Sequence, residues 1–196
     1  MGVPDHSETR RLIDFAAKAA ETFVSAYYAA TDAPHRVQLI PTLYLPDATI
    51  VWNGHPISGS TNLAALLNSM PGSKHEVQMF DCHPLGGGTI DGTFQTPSLT
   101  LTVSGVVVHH TPGSLSAMPQ SNAPNSSGSG KSRGNPSDGS DSSIPVDSLA
   151  RAFSQNFVLV PQAGQETGGI NVSATQEGKT ISGRFFVQAD AFRFIG

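Results

Sequence analysis

The sequence predicts an α+β domain in which three N-terminal helices pack on one face of a curved antiparallel sheet. Three observations predict it. Apolar residues recur at three-and-four spacing only before Pro71, while period-two runs fill the chain after it. The stretch 183–196, GRFFVQADAFRFIG, is apolar in both of its phases: Phe186, Gln188, Asp190, Phe192 and Phe194 share one, and Phe185, Val187, Ala189, Ala191, Arg193 and Ile195 the other. Either such a strand is covered twice, once by its own core and once by something else, for which a partner chain is the simplest candidate, or Phe192 and Phe194 are ordinary core and the opposite face is only patchy.

Taken in order, residues 7–30 place Leu12, Phe15, Ala19, Phe23 and Ala30 on one face of a helix. Ser7 or Asp5 is suited to its free amides, and Glu8 to the positive end of its dipole. A short second helix follows Pro34, with Val37, Leu39, Ile40 and Leu43 apolar. Residues 48–52 form a strand, Asn53-Gly54 a tight turn and 55–57 a second short strand. Gly59-Ser60-Thr61 caps a third helix bearing Leu63, Leu66, Leu67 and Met70, which Pro71-Gly72 ends. Residues 74–82 are a strand with Val77, Met79 and Asp81 in one phase, and the glycine-rich 84–97 is a loop. Residues 99–110 follow as a strand, with Gly105 marking a bulge or bend. Residues 149–161 set Phe153, Gln155, Phe157 and Leu159 on one face, and 170–173 with 180–195 complete the sheet.

Between these strands, 111–148 is rich in Ser, Gly, Pro and Asn and has no period. Such a composition buries too little to offset the entropy of ordering, so a disordered loop is expected within a single domain, 1–196. The net charge of −4 disfavours autonomous binding to nucleic acid. A lone Cys82 excludes an internal disulfide and suits a reducing compartment. No apolar leader or membrane-length run is present in the sequence, so a cytosolic or nuclear location is expected.

Four motifs then fall in order. Leu43-Tyr44-Leu45-Pro46-Asp47-Ala48 with Trp52-Asn53-Gly54, Phe80-Asp81-Cys82-His83-Pro84, Phe153-Ser154-Gln155-Asn156-Phe157-Val158-Leu159 and Ala189-Asp190-Ala191-Phe192-Arg193-Phe194 together resemble the nuclear transport factor 2-like family. Within it they are most similar to small subunits of heterodimeric mRNA export receptors, although His83 stands where glutamine is usual. The resemblance implies a cone-shaped domain that pairs sheet face to sheet face with a related domain of a larger subunit. It implies partner contacts at Arg193 and, in the same two terminal motifs, at Asp190, Phe153, Gln155, Phe157 and Phe192. It further implies shuttling between nucleus, nuclear pore and cytoplasm, binding of phenylalanine-glycine nucleoporins by the heterodimer, RNA held mainly through the large subunit, and no cofactor. The length of 111–148 is nearer to fungal than to animal small subunits.

The same fold houses dehydratases and isomerases, and Asp81, His83, His109, His110, Tyr27, Tyr28 and Asp190 are the candidate acids or bases of a cavity. Neighbouring strand residues face opposite ways, so His109 and His110 cannot serve one site. No cysteine or histidine spacing suits a metal, and Gly86-Gly87-Gly88 lacks the lysine and helix start of a phosphate cradle. A non-enzymatic export subunit is therefore expected, with a homodimeric import carrier for a small GTPase, or a cavity enzyme, as the alternatives. Excising 111–148 and closing the gap with a short Gly-Ser turn should leave fold and assembly intact. Calorimetric melting checks this: a loss well beyond the roughly 1 kcal/mol that shortening a loop can shift would show that the segment packs.

Overall fold

The final strand sits at the centre of the sheet, and the first helix lies across it. The structure, a computed structural model, describes residues 6–110, 149–164, 167–176 and 178–195, and the expected loop 111–148 lies outside the described residues. Helix α1 (His6–Asp32) buries Phe15, Ala16, Ala19, Ala20, Phe23, Val24, Tyr27 and Tyr28, the stripe that the spacing predicts. After it come α2 (Arg36–Leu39), a single 3-10 turn (Ile40–Leu43), β1 (Tyr44–Trp52), β2 (His55–Ser58) and α3 (Gly59–Ser69). Asn53 and Gly54, both at positive φ, make the expected tight turn between β1 and β2. Helix α3 starts after Ser58 without any side-chain capping bond, so the hydroxyls of Ser60 and Thr61 do not serve as expected.

The remaining strands are β3 (Gly72–Leu85), β4 (Gly88–Ile90), β5 (Thr93–Gln95), β6 (Ser98–His110), β7 (Arg151–Pro161), β8 (Ile170–Gln176) and β9 (Lys179–Ile195). Where a loop is expected over 84–97, β4 and β5 form a small hairpin turned by Asp91 and Gly92, both at positive φ. Its anchor is Glu8, whose Oε1 accepts bonds from the Thr89 amide at 2.6 Å and hydroxyl at 2.8 Å. Glu8 thus ties the hairpin to the first turn of α1. The Asp-Gly pair was the available signal for this turn.

The large sheet runs β2-β1-β9-β7-β6-β3, and β8 also pairs with β9. One edge of β9 pairs with β7; the other is shared, with β8 on its first half and β1 on its second. The β1–β9 pairing is parallel, so the sheet is mixed rather than antiparallel as expected. Parallel neighbours require a long crossover, and here most of the chain lies between them.

Two bulges then change the side-chain phases. Val158 pairs with Ala189 but Leu159 with Val187, which leaves Gln188 as an extra residue in β9. One extra residue exchanges the faces beyond it. Phe185 and Val187 before the bulge, and Asp190 and Phe192 after it, consequently all point into the core beneath α1. The expected grouping of Arg193 with Phe185 and Val187 is thereby corrected. Gln78 does the same in β3, moving Phe80 and Cys82 to the inner face and Met79 and Asp81 to the outer one. Opposite this second bulge lies Gly105, where an added Cβ would stand 2.1 Å from the Glu76 carbonyl oxygen. The bend foreseen at Gly105 belongs to its neighbour strand, and Gly105 provides the room for it. Gly105→Ala should cost about 3 kcal/mol by forcing β3 from β6, whereas Gly72→Ala, whose Cβ meets nothing nearer than 4.0 Å, should be close to neutral. Urea denaturation of both variants checks the contrast.

Candidate partner interface

The inner face of the sheet carries a closed polar cluster. Asp190, 3% exposed, accepts from Tyr44 Oη at 2.6 Å and from Gln155 Nε2 at 2.9 and 3.0 Å. Gln155 Nε2 also donates to Tyr27 Oη at 3.1 Å, and Gln155 Oε1 accepts from Tyr28 Oη at 2.9 Å. Because the Tyr44 hydrogen points to the carboxylate, Tyr27 is the donor in its 2.8 Å contact with Tyr44. Every phenol hydrogen and both amide hydrogens then have an acceptor. A proton on Asp190 would be a further donor with nowhere to go, so the arrangement fits the carboxylate. Burial acts the other way: it raises Asp190 to about 6, against the bonds from Tyr44, Gln155 and Tyr27. The carboxylate therefore prevails at neutral pH. Burial also raises all three tyrosines, which remain donors.

The outer face is of a different character. Across it lie Thr49 and Val51 of β1, Ala189, Ala191, Arg193 and Ile195 of β9, then Ala152, Ser154, Asn156 and Val158 of β7. Thr102, Ser104 and Val106 of β6 and Met79 and Asp81 of β3 continue it to the sheet edge. Apart from Arg193, Asp81 and Asn156 these side chains are small or apolar, and none is buried. Met79 is 66% and Ile195 51% exposed. The helices cover only the opposite face. Arg193 stands exposed in a row with Ser154, Ser104 and Met79, and it enters no ion pair among the described residues.

Of the expected contact residues, only Arg193 is presented outward. Asp190, Gln155, Phe153, Phe157 and Phe192 are at most 3% exposed and face α1, so they have no surface to give a partner. The physical reason lies in the alternation of the strands: residues flanking an outward Arg193 or Ser154 must point inward. Their motif signal is that of a core. Phe153 and Phe192 stack on one another, Phe192 stacks on Trp52, and Phe157 packs against Phe23 and Tyr27.

The candidate acids and bases are also dispersed. Asp81 and His83 pair at 3.0 Å on the exposed side of β3, while His109 lies edge-on to Phe194 at the end of the sheet. Tyr27, Tyr28 and Asp190 do come together, but inside the closed cluster and not in a cavity. Sequence reasoning passed over Tyr44 as a member of this cluster. It also passed over Asp32, which ends α1 and binds the start of β3. There Asp32 accepts from Ser73 Oγ and the His75 amide and pairs with His75 Nδ1 at 2.6 Å. Burial pushes Asp32 upward, yet the bonds from His75 and Ser73 outweigh it and hold the carboxyl below its usual range. Among the described residues no group of side chains could hold a metal ion.

Comparison with known proteins adds to this geometry. Residues 19–117 match the family model of the nuclear transport factor 2 (NTF2) domain. NTF2-related export protein 2 of Bos taurus is 38% identical over 78 residues, which cover 40% of this chain and 54% of the relative. The chain thus spans about half the length of the curated relatives it matches. In three dimensions it is similar to nuclear transport factor 2 of Cryptosporidium parvum, with TM-score 0.53, 18% identity and coverage of 92% of this chain and 94% of that one. It is also similar to a chain in the complex of the Chaetomium thermophilum Mex67 NTF2-like domain with Mtr2, with TM-score 0.55, 17% identity and coverage of 92% and 98%.

The polar cluster yields a pH test whose sign is fixed by Asp190. Its folded value of about 6 lies above the ordinary 3.8, so its contribution to stability is fully present below the ordinary value and lost as pH rises through 6. Asp190→Asn cannot titrate, and Asp32 contributes equally to both proteins. The stability of wild type relative to Asp190→Asn should therefore fall by about 3 kcal/mol between acidic and neutral pH. Parallel denaturant midpoints for the two proteins across that range would remove Asp190 as the titrating group.

Proposed function

Because this chain belongs to the nuclear transport factor 2 domain family, we propose that it is the non-catalytic small subunit of an mRNA export receptor, paired through its outer sheet face with a larger chain bearing a related domain. One observation carries the reading: a broad face, mostly of small and apolar residues, has no cover among the described residues and contains an arginine that forms no ion pair among them. Desolvating a guanidinium is unfavourable unless a carboxylate meets it, so the surface asks for a complementary partner with an acid opposite Arg193. Stable obligate interfaces commonly bury about 2,000 Å² or more and resemble a divided core. A face spanning five strands is suited to that. Similarity to curated export proteins supports the export role over other uses of the fold.

The non-catalytic part of the reading is supported by the cluster around Asp190. Both of its carboxylate oxygens are engaged by Tyr44 and Gln155, so Asp190 is not a free base for a substrate. RNA then falls to the large subunit, in keeping with a net charge of −4. Engagement of phenylalanine-glycine repeats and passage through the pore are properties of the assembled pair in this proposal.

Copurification of the tagged chain from its own cells tests the assignment. A larger chain with a related domain is the expected companion, and a GDP-bound small GTPase would instead favour the import carrier. Within the pair, Arg193→Asp should weaken association by about 2–5 kcal/mol, while the isolated fold survives because Arg193 is exposed. Reversing the facing acid on the partner should restore part of the affinity. Calorimetric titration of the four combinations decides it, and equal affinity for wild type and Arg193→Asp would remove Arg193 from the interface.

A further inference from the structure

A second binding feature lies on the helical side. Between α1 and the β8–β9 hairpin is a cleft of about 410 Å³, floored by Phe15, Ala174 and Ile181 and flanked by Arg11 and Lys18, with Asp14, which meets Arg10 at 4.0 Å, between them. Ser173, Ala174 and Thr175 all line it. Successive side chains of a strand point to opposite faces, so three in a row can border one cleft only if the strand presents its edge. The topology agrees: β8 pairs with β9 alone, which leaves its other edge without a neighbour in the described sheet. Arg11 adds a chemical demand, because its Nε is buried and has no hydrogen-bond partner among the described residues. A buried donor of this kind is uncommon and calls for an acceptor. Lys18 meets Glu21 at 2.8 Å, but both are more than half exposed, and such a pair exchanges readily for another acid.

We propose that this cleft takes an extended acidic segment of a partner protein, added as a strand along the free edge of β8. In that pose an aliphatic side chain covers Ala174, which is only partly buried, and acids two positions away on either side reach Arg11 and Lys18. The dimensions agree, since residues 11 and 18 are about 10 Å apart along a helix and four residues of strand span about 13 Å. Two cations against the one acid Asp14 in the lining, with the Arg11 Nε still unmatched, select an acidic segment over a basic one, and the backbone edge selects an extended segment over a helix. The cleft is on the side of the sheet away from Arg193, so its occupation is independent of the partner described above.

Fluorescence anisotropy with the full chain and a labelled peptide of core aspartate-serine-leucine-serine-aspartate tests this. Saturable binding is expected, weakening with salt and at least tenfold in Arg11→Glu. The asparagine-substituted peptide should bind at least tenfold less well, and Ala174→Glu, which places a like charge on the floor, should abolish binding. Unchanged affinity in Arg11→Glu, equal binding of the asparagine peptide, stronger binding of a phenylalanine-glycine peptide, or no saturation at millimolar peptide would each overturn the proposal. Partner association through the outer face should be the same in Arg11→Glu and wild type, which separates failure here from failure there.

Discussion

One buried carboxylate governs how the layers meet. Asp190 on the central strand is held by Tyr44 from β1 and Gln155 from β7, and through them by Tyr27 and Tyr28 from α1. A charge so enclosed is tolerable only when each of its neighbours is a correctly aimed donor. That requirement fixes the rotation of α1 and the register of three strands together. Apolar packing alone permits small slips of a helix over a sheet, whereas this set of bonds permits one alignment. The aromatic rings around it, Phe23, Phe153 and Phe157, then fill the remaining space.

The sequence disclosed the elements better than their facing. The first helix and the Asn53-Gly54 turn were legible because period and turn chemistry are local properties of the chain. So was the inward face of β7, where Phe153, Gln155, Phe157 and Leu159 alternate without interruption. In β3 and β9 the alternation is broken at Gln78 and Gln188, and no residue type announces a bulge. The two-sided apolar look of the last strand is the trace of that break, since two inward sets of opposite phase were being read as two faces. The parallel pairing of β1 with β9 was not legible, because it depends on distant segments meeting.

The candidate interface shows the same division. Arg193 was found because a charge in an apolar strand is anomalous in the sequence itself. Its inward neighbours were grouped with it by motif, yet shared membership in a motif does not imply a shared direction. Once the phase of β9 is known, the outer face separates from the core without further assumption. What identifies it is the scarcity of bulk and charge over five strands, where Arg193 and Asp81 stand among small residues, a property spread across Ala152, Ala189, Ala191 and their neighbours.

The position of β9 also bears on how the chain acquires its structure during synthesis. It is the last described strand to leave the ribosome, yet it pairs with β1, β7 and β8 and supplies Asp190. Until it arrives, β1 lacks its neighbour and the tyrosines of α1 lack their acceptor. Contacts spanning so much sequence form slowly, and unpaired strand edges stay open while they do. The sheet therefore cannot close until β9, the last of its described strands, has been made. In that interval its half-made edges are the point at which molecular chaperones have the most to protect.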